Sequence, residues 1–135
     1  MSDWNQQVIE EFRANDGVVG GTFEGKPLLL LHHQGAKSGT WRVSPLACYP
    51  VDDRRWAVFA SRGGSPTNPD WYHNLKAHPE VRIEVGSETV DVTATEVTGE
   101  ERQRIFDAHA ATWPIFAEYD AKTEREIPVI VLEPR

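Results

Sequence analysis

The run Gly35-Ala36-Lys37-Ser38-Gly39-Thr40-Trp41-Arg42-Val43-Ser44-Pro45-Leu46 concentrates the side chains best suited to holding an anion. Gly35 and Gly39 can take positive φ without a Cβ penalty, which lets successive backbone N–H groups converge on a negative charge. Lys37 and Arg42 add fixed positive charge, and Ser38 adds a hydroxyl. The run is not a P-loop: Ala36, not glycine, precedes the lysine, and a strand rather than a helix follows. Metal chemistry is not expected. His32 and His33 are adjacent and point to opposite faces of a strand, His73 and His78 share no helical face, and Cys48 stands alone. A single cysteine inside a strand reads as a small core residue.

Charge supports a small anionic ligand. The chain of 135 residues carries a formal net charge of −7, which argues against nucleic-acid binding, since that needs a basic surface to displace phosphate counterions. Residues 25–62 nevertheless hold Lys26, Lys37, Arg42, Arg54, Arg55 and Arg62 against Asp52 and Asp53, a local charge of +4. Asp52-Asp53-Arg54-Arg55 also reads as an ordinary hairpin turn.

The elements that must position these residues follow from periodicity. Trp4, Val8, Ile9 and Phe12 make one face of a short N-terminal helix that Asn15-Asp16-Gly17 ends, and Val18–Gly25 reads as a flexible turn. Its few basic residues argue for packing against the core rather than a membrane surface. Pro27 to His33 is apolar enough for a buried strand. Trp41 to Val51 alternates, with Arg42, Ser44, Leu46 and Cys48 on one face, and Pro45 predicts an edge or a bulge. Arg55 to Ser61 makes a third strand. Arg62 to Pro69 is a loop, with Asn68 as cap of a helix starting at Pro69. Val81–Val85 and Glu88–Glu96 form a hairpin around Gly86-Ser87, and Thr98-Gly99-Glu100-Glu101 is a capping box. Trp113-Pro114 opens a short helical segment, and Ile127–Leu132 is a last strand. The expected architecture is one α+β domain, residues 1–135, with about six mostly antiparallel strands in a small barrel and helices at its rim. The longest uncharged apolar run, Pro27–Leu31, is far short of a membrane span, and the N-terminus has no secretory pattern, so the expected location is cytoplasmic.

Four segments in order, His33-x-Gly35-Ala36-Lys37-Ser38-Gly39-x-x-Arg42-Val43-x-Pro45-Leu46, Phe59-Ala60-Ser61-x-Gly63-Gly64, Asn68-Pro69-Asp70-Trp71-Tyr72-His73-Asn74-Leu75 and Ile127-Pro128-Val129, resemble the deazaflavin-dependent nitroreductase family. The resemblance spans nearly the whole chain. It implies a split β-barrel of the flavin-reductase type that binds the deazaflavin coenzyme F420. The reduced form would deliver hydride to a quinone, a nitroaromatic or an activated alkene. Carried onto this sequence, Lys37, Ser38 and Gly39 match the site for the cofactor's phosphate and acidic tail, with Arg42 and Arg62 beside it. Pro45, Leu46, Ala60 and Ser61 border the ring, Trp71 covers it, and Asn68 belongs to the same set. On the substrate side stand Trp113, Phe116 and Tyr119, with Ala47 where some relatives carry a tyrosine. Ser61 and Tyr119 are the hydroxyls that the resemblance brings to the reaction. As neutral donors, unperturbed, they do not titrate near neutrality, whereas His32, His33, His73 and His109 do.

The residues leave two other readings open: an FMN-dependent reductase on the same barrel, and a protein that binds or stores F420 without turning it over. The implied partner is a quinone-like small molecule, with no nucleic acid and no transmembrane segment. Peripheral membrane contact stays open, as does the choice between monomer and homodimer.

Overall fold

Leu28, Leu29, Leu30 and Leu31 are all buried because strand β1 (Leu28–Gln34) is covered on both faces. Leu29 and Leu31 point into a barrel, while Leu28 and Leu30 pack outward beneath helix α1 (Asp3–Ala14) with its Val8, Ile9 and Phe12. In the computed structural model, which describes residues 3–20, 27–61, 68–123 and 126–135, six strands close in the order β1-β2-β3-β6-β5-β4. The others are β2 (Trp41–Pro50), β3 (Trp56–Phe59), β4 (Glu80–Val85), β5 (Glu88–Val97) and β6 (Val129–Pro134). Every pairing is antiparallel. Helix α2 (Asp70–Ala77) sends Trp71 and Leu75 into the barrel core. Helices α3 (Gly99–Thr112) and α4 (Ile115–Lys122) cover the outer face of β3 and β6.

The barrel carries a seam. β2 pairs with β1 without interruption from Leu28↔Ala47 to Gln34↔Trp41, but with β3 only from Cys48 to Pro50. Trp41–Ala47 therefore has no β3 partner. The Cys48 N–H bonds the Pro27 carbonyl at 3.2 Å on the β1 side. Backbone direction alternates along a strand, so position 45 faces the unpaired side, where a missing N–H breaks no ladder bond. The edge reading of Pro45 holds, and the unbroken register leaves no bulge. Past β3, the Ala60 N–H bonds the Pro128 carbonyl at 3.0 Å and keeps the chain against the β6 side of the seam.

Several boundaries differ from those predicted. β3 stops at Phe59 and not Ser61, and β6 starts at Val129 and not Ile127. The Ile127 carbonyl is taken by buried Arg102, which donates to it from Nη2 at 2.8 Å and Nε at 3.2 Å and lies 4.6 Å from the Phe106 ring. Pro69 occupies the N-cap of α2, with no side-chain cap bond. Thr98 is the N-cap of α3 but makes no side-chain cap bond, so the capping box is not formed. Arg62, the Arg62–Thr67 part of the loop, Lys26 and the Trp4 side chain lie outside the described residues, as do residues 21–25 of the predicted turn.

Three side chains fasten α1 to the barrel. Arg13 donates to Glu84 from Nη2 at 2.7 Å and from Nε at 3.1 Å, and His32 Nε2 lies 2.7 Å from the same carboxylate. The hydrogen bond from Arg13, followed by that from His32, holds the Glu84 carboxyl below its usual range.

Candidate functional site

The glycine run forms a tight turn between β1 and β2, but not the anion nest its glycines suggest. Gly39 has φ +72°, as expected, whereas Gly35 is not in the left-handed region. Gly35 is needed for space: a Cβ there would collide with the Ser38 hydroxyl. The turn's amides are mostly spent. The Gly35 N–H bonds the Thr40 carbonyl at 2.8 Å, Gly39 N–H the Gly35 carbonyl at 3.0 Å, Thr40 N–H the Ser38 hydroxyl at 3.2 Å and Ala36 N–H the Asn74 Oδ1 at 2.9 Å. An anion must therefore be met chiefly by side chains. Lys37, Ser38 and Gly39 are exposed at the tip. At the far end of β2 the Asp52 carboxylate accepts from the Arg54 N–H and from Arg55, so that part of the basic stretch is a self-satisfied turn.

Beside the glycine turn lies a cavity of about 540 Å³ between α1, β2 and α2. Its wall includes Ile9 and Arg13 of α1, Arg42 and Ser44 of β2, His33, and Trp71 of α2. Its size suits a small-molecule ligand, and so does its mix of apolar wall and few polar groups. A second cavity, about 510 Å³, shares Trp41 with the first and is lined by His32, Arg82, Asp91 and Arg135. Arg82 is already bonded to Asp91 at 2.8 Å and His32 to Glu84. None of the predicted site residues lines it.

The structure brings Arg42 and Trp71 together in the first cavity, with the Lys37–Gly39 turn adjoining it in sequence. Pro45 and Leu46 lie on the unpaired half of β2, half-buried. Ala60 and Ser61 are buried just past the end of β3, and Asn68 is half-buried before α2. Trp113, Phe116 and Tyr119 do not line this cavity. They belong to the outer aromatic cluster, where Phe116 is buried 5.9 Å from the Phe59 ring and 5.4 Å from Tyr119. Ala47 packs against both this cluster and that of α1, at the seam. His109 stacks on Phe59 at 4.1 Å inside the cluster. Cys48 is buried, and burial pushes its thiol up to about 12, so it is no nucleophile.

Sequence reasoning missed what joins the cavity to the turn. Buried His33 sits between Ser44 Oγ, 2.9 Å from Nε2, and Asn74 Nδ2, 2.9 Å from Nδ1. Asn74 also fixes the glycine turn through Ala36. Burial first, then the nearby Arg42 guanidinium and His32, lower the His33 pKa to about 4, so the ring is neutral at physiological pH. Strand alternation already placed Ser44 on the Arg42 face. Nothing local in the sequence shows that α2 returns onto the turn.

The family model described as F420H(2)-dependent quinone reductase matches residues 4–134. The chain is 38% identical over 133 residues to an F420H(2)-dependent quinone reductase of Mycobacterium tuberculosis (strain ATCC 25618 / H37Rv), covering 92% of this chain and 85% of that one. Among solved structures, an F420-H2 dependent reductase, FDR-A, superposes with a TM-score of 0.73 at 39% identity, covering 84% of this chain and all of the other. A structure described as a domain-swapped dimer superposes with a TM-score of 0.75 at 38% identity, covering 95% and 93%. With the split barrel, the seam at Pro45 and the Arg42 cavity, these similarities have one meaning: the chain belongs to the F420H(2)-dependent quinone reductase family.

Proposed function

We propose that this protein reduces a quinone with hydride from reduced F420, and that nitroaromatics and activated alkenes are further acceptors. The observation that carries the reading is the cavity in which Arg42, the Ser44 hydroxyl and Trp71 converge beside the Lys37 turn. These residues fit the cofactor by donor chemistry. An anionic tail meets Arg42, Lys37 and the hydroxyls of Ser38 and Ser44, with Gly39 letting the tail approach the backbone. A planar ring meets Pro45, Leu46, Ala60 and Ser61 along the seam, where Trp41–Ala47 of β2 has no β3 partner among the described residues. Asn68, just before α2, and Trp71 within it close that set, and Arg62 joins it on resemblance alone. When bound, reduced F420 supplies the hydride. The protein orients, excludes water and offers donors to the acceptor's developing oxyanion.

On this reading Ala47, Trp113, Phe116 and Tyr119 border the acceptor. The support is that their cluster reaches the seam at Ala47. Ser61 and Tyr119 are the hydroxyl donors to the reduced acceptor, and solvent completes protonation. Tyr119→Phe should then slow single-turnover hydride transfer about tenfold, well short of the 10² to 10⁴ that a general acid contributes. A larger loss with a new pH dependence would make Tyr119 the acid. Among the described residues no helix is long and apolar enough to cross a membrane. We place the protein in the cytoplasm as a homodimer, the assembly named for one structural relative.

The test is fluorescence titration of the purified protein with F420 and, separately, with FMN. The reading expects saturable F420 binding at least tenfold tighter than FMN. The reverse order would move the protein to FMN chemistry.

A further inference from the structure

The hydrogen bonds around His33 have only one consistent direction. The Ala36 N–H can only donate, so the Asn74 oxygen 2.9 Å away is its acceptor and the Asn74 amide nitrogen faces His33. That nitrogen can only donate, so His33 Nδ1 accepts. A neutral imidazole carries one proton, which must then sit on Nε2 and point at Ser44 Oγ, 2.9 Å away. Ser44 Oγ is thereby occupied as an acceptor, and its own proton has to go elsewhere. Among the described residues no other partner for it is present, and Ser44 lines the 540 Å³ cavity beside Arg42.

We infer that His33 is a positioning residue: through a one-way relay, Ala36 to Asn74 to His33 to Ser44, it fixes the Ser44 hydroxyl as a donor to an oxyanion of the bound ligand. This rests on the reading of the cavity as the place of the cofactor's anionic side chain. It gives a role to the one buried histidine that touches the cavity and removes that histidine as a proton source, since its single proton is committed to Ser44. The relay also binds the base of α2 to the glycine turn, so the donor and Arg42 are held in one frame. Because His33 Nε2 already carries its proton, the Ser44 proton cannot be returned to the imidazole and is left for a ligand oxygen, of which an oxyanion is the strongest acceptor.

Two readouts test this. Nitrogen NMR of the ligand-free protein, with His33 assigned through a His33→Gln variant, should show an unprotonated Nδ1 and a protonated Nε2 at pH 7. A proton on Nδ1, or an imidazolium, would overturn the relay whatever the protein binds. For the ligand end, F420 affinity should fall at least tenfold in Ser44→Ala, the scale of a hydrogen bond to a charged group. Ser44→Thr, which keeps the hydroxyl, should stay within about threefold of wild type, below one such bond. His33→Leu should match the alanine variant, and His33→Gln, which can accept and donate in line, should recover part of the loss, with unfolding curves confirming that each variant is folded. The penalty in Ser44→Ala should vanish for a deazaflavin lacking phosphate and glutamates. If it survives in the glutamate-free, phosphate-bearing form, the oxyanion is the phosphate; if not, it is a tail carboxylate. A penalty that persists with the phosphate-free form, or wild-type F420 affinity in folded Ser44→Ala, would overturn the inference and leave the cofactor reading standing. Absence of F420 binding by the wild type would overturn the cofactor reading and the ligand end together, with the tautomer still decided by the spectrum.

Discussion

Arg42→Ala is expected to weaken F420 binding by about ten- to more than a hundredfold, and Lys37→Ala by less. A hydrogen bond to a charged group contributes about 1.5–3 kcal/mol, which is that range in affinity. Both residues are exposed, and they differ because Arg42 lines the cavity, whereas Lys37 stands at the tip of the turn outside that lining. Titration at two ionic strengths should show a steep salt dependence in the wild type and a shallower one in Arg42→Ala. Unchanged affinity in Arg42→Ala at low salt would remove the cavity from the account of cofactor binding.

The second large effect is on stability. His33 binds its proton only near pH 4 in the folded protein but near 6.5 when unfolded, so between these values the unfolded chain holds more protons. Stability is then full above pH 6.5 and falls as the pH drops toward 4. A shift of this size corresponds to about 3 kcal/mol. Acidic groups act in a lower window. Glu84 is held down by Arg13, Asp91 by Arg82, and Asp52 by the Arg54 N–H and then Arg55, so their contributions are lost only as pH falls below ~4.3. Urea unfolding of wild type and His33→Gln between pH 4 and 7 should show the loss in the first and most of it missing from the second. Parallel curves would mean that His33 charges without cost in the folded state.

Local pattern carried the fold further than it carried the site. Alternation in β2 and β5 and the Gly86-Ser87 turn could be read because each depends on near neighbours in the chain. The four-leucine strand could be read as buried, and the structure shows why: α1 covers one face and the barrel interior the other. Less legible were features made by distant segments. β6 closes the barrel by inserting between β3 and β5, and no local residue announces that. The glycine turn looked like an amide nest because its residues permit one, yet Thr40, Ser38 and Asn74 take up the amides instead. Burial, with Arg42 and His32 nearby, turns His33 from a general-acid candidate into a neutral ring, and the same Asn74 sets which nitrogen carries its proton. Trp113, Phe116 and Tyr119 look alike as pocket aromatics and as core, and here they pack with Phe59 on the outer face of β3.

The most direct measurement is anaerobic oxidation of F420H2 by menadione, followed by the recovery of oxidised F420 absorbance with and without the protein. Direct hydride transfer predicts protein-dependent oxidation that saturates in both reactants and stops after one F420H2 per quinone. Tight F420 binding with no oxidation above the protein-free rate would contradict it and make this chain a carrier of the cofactor.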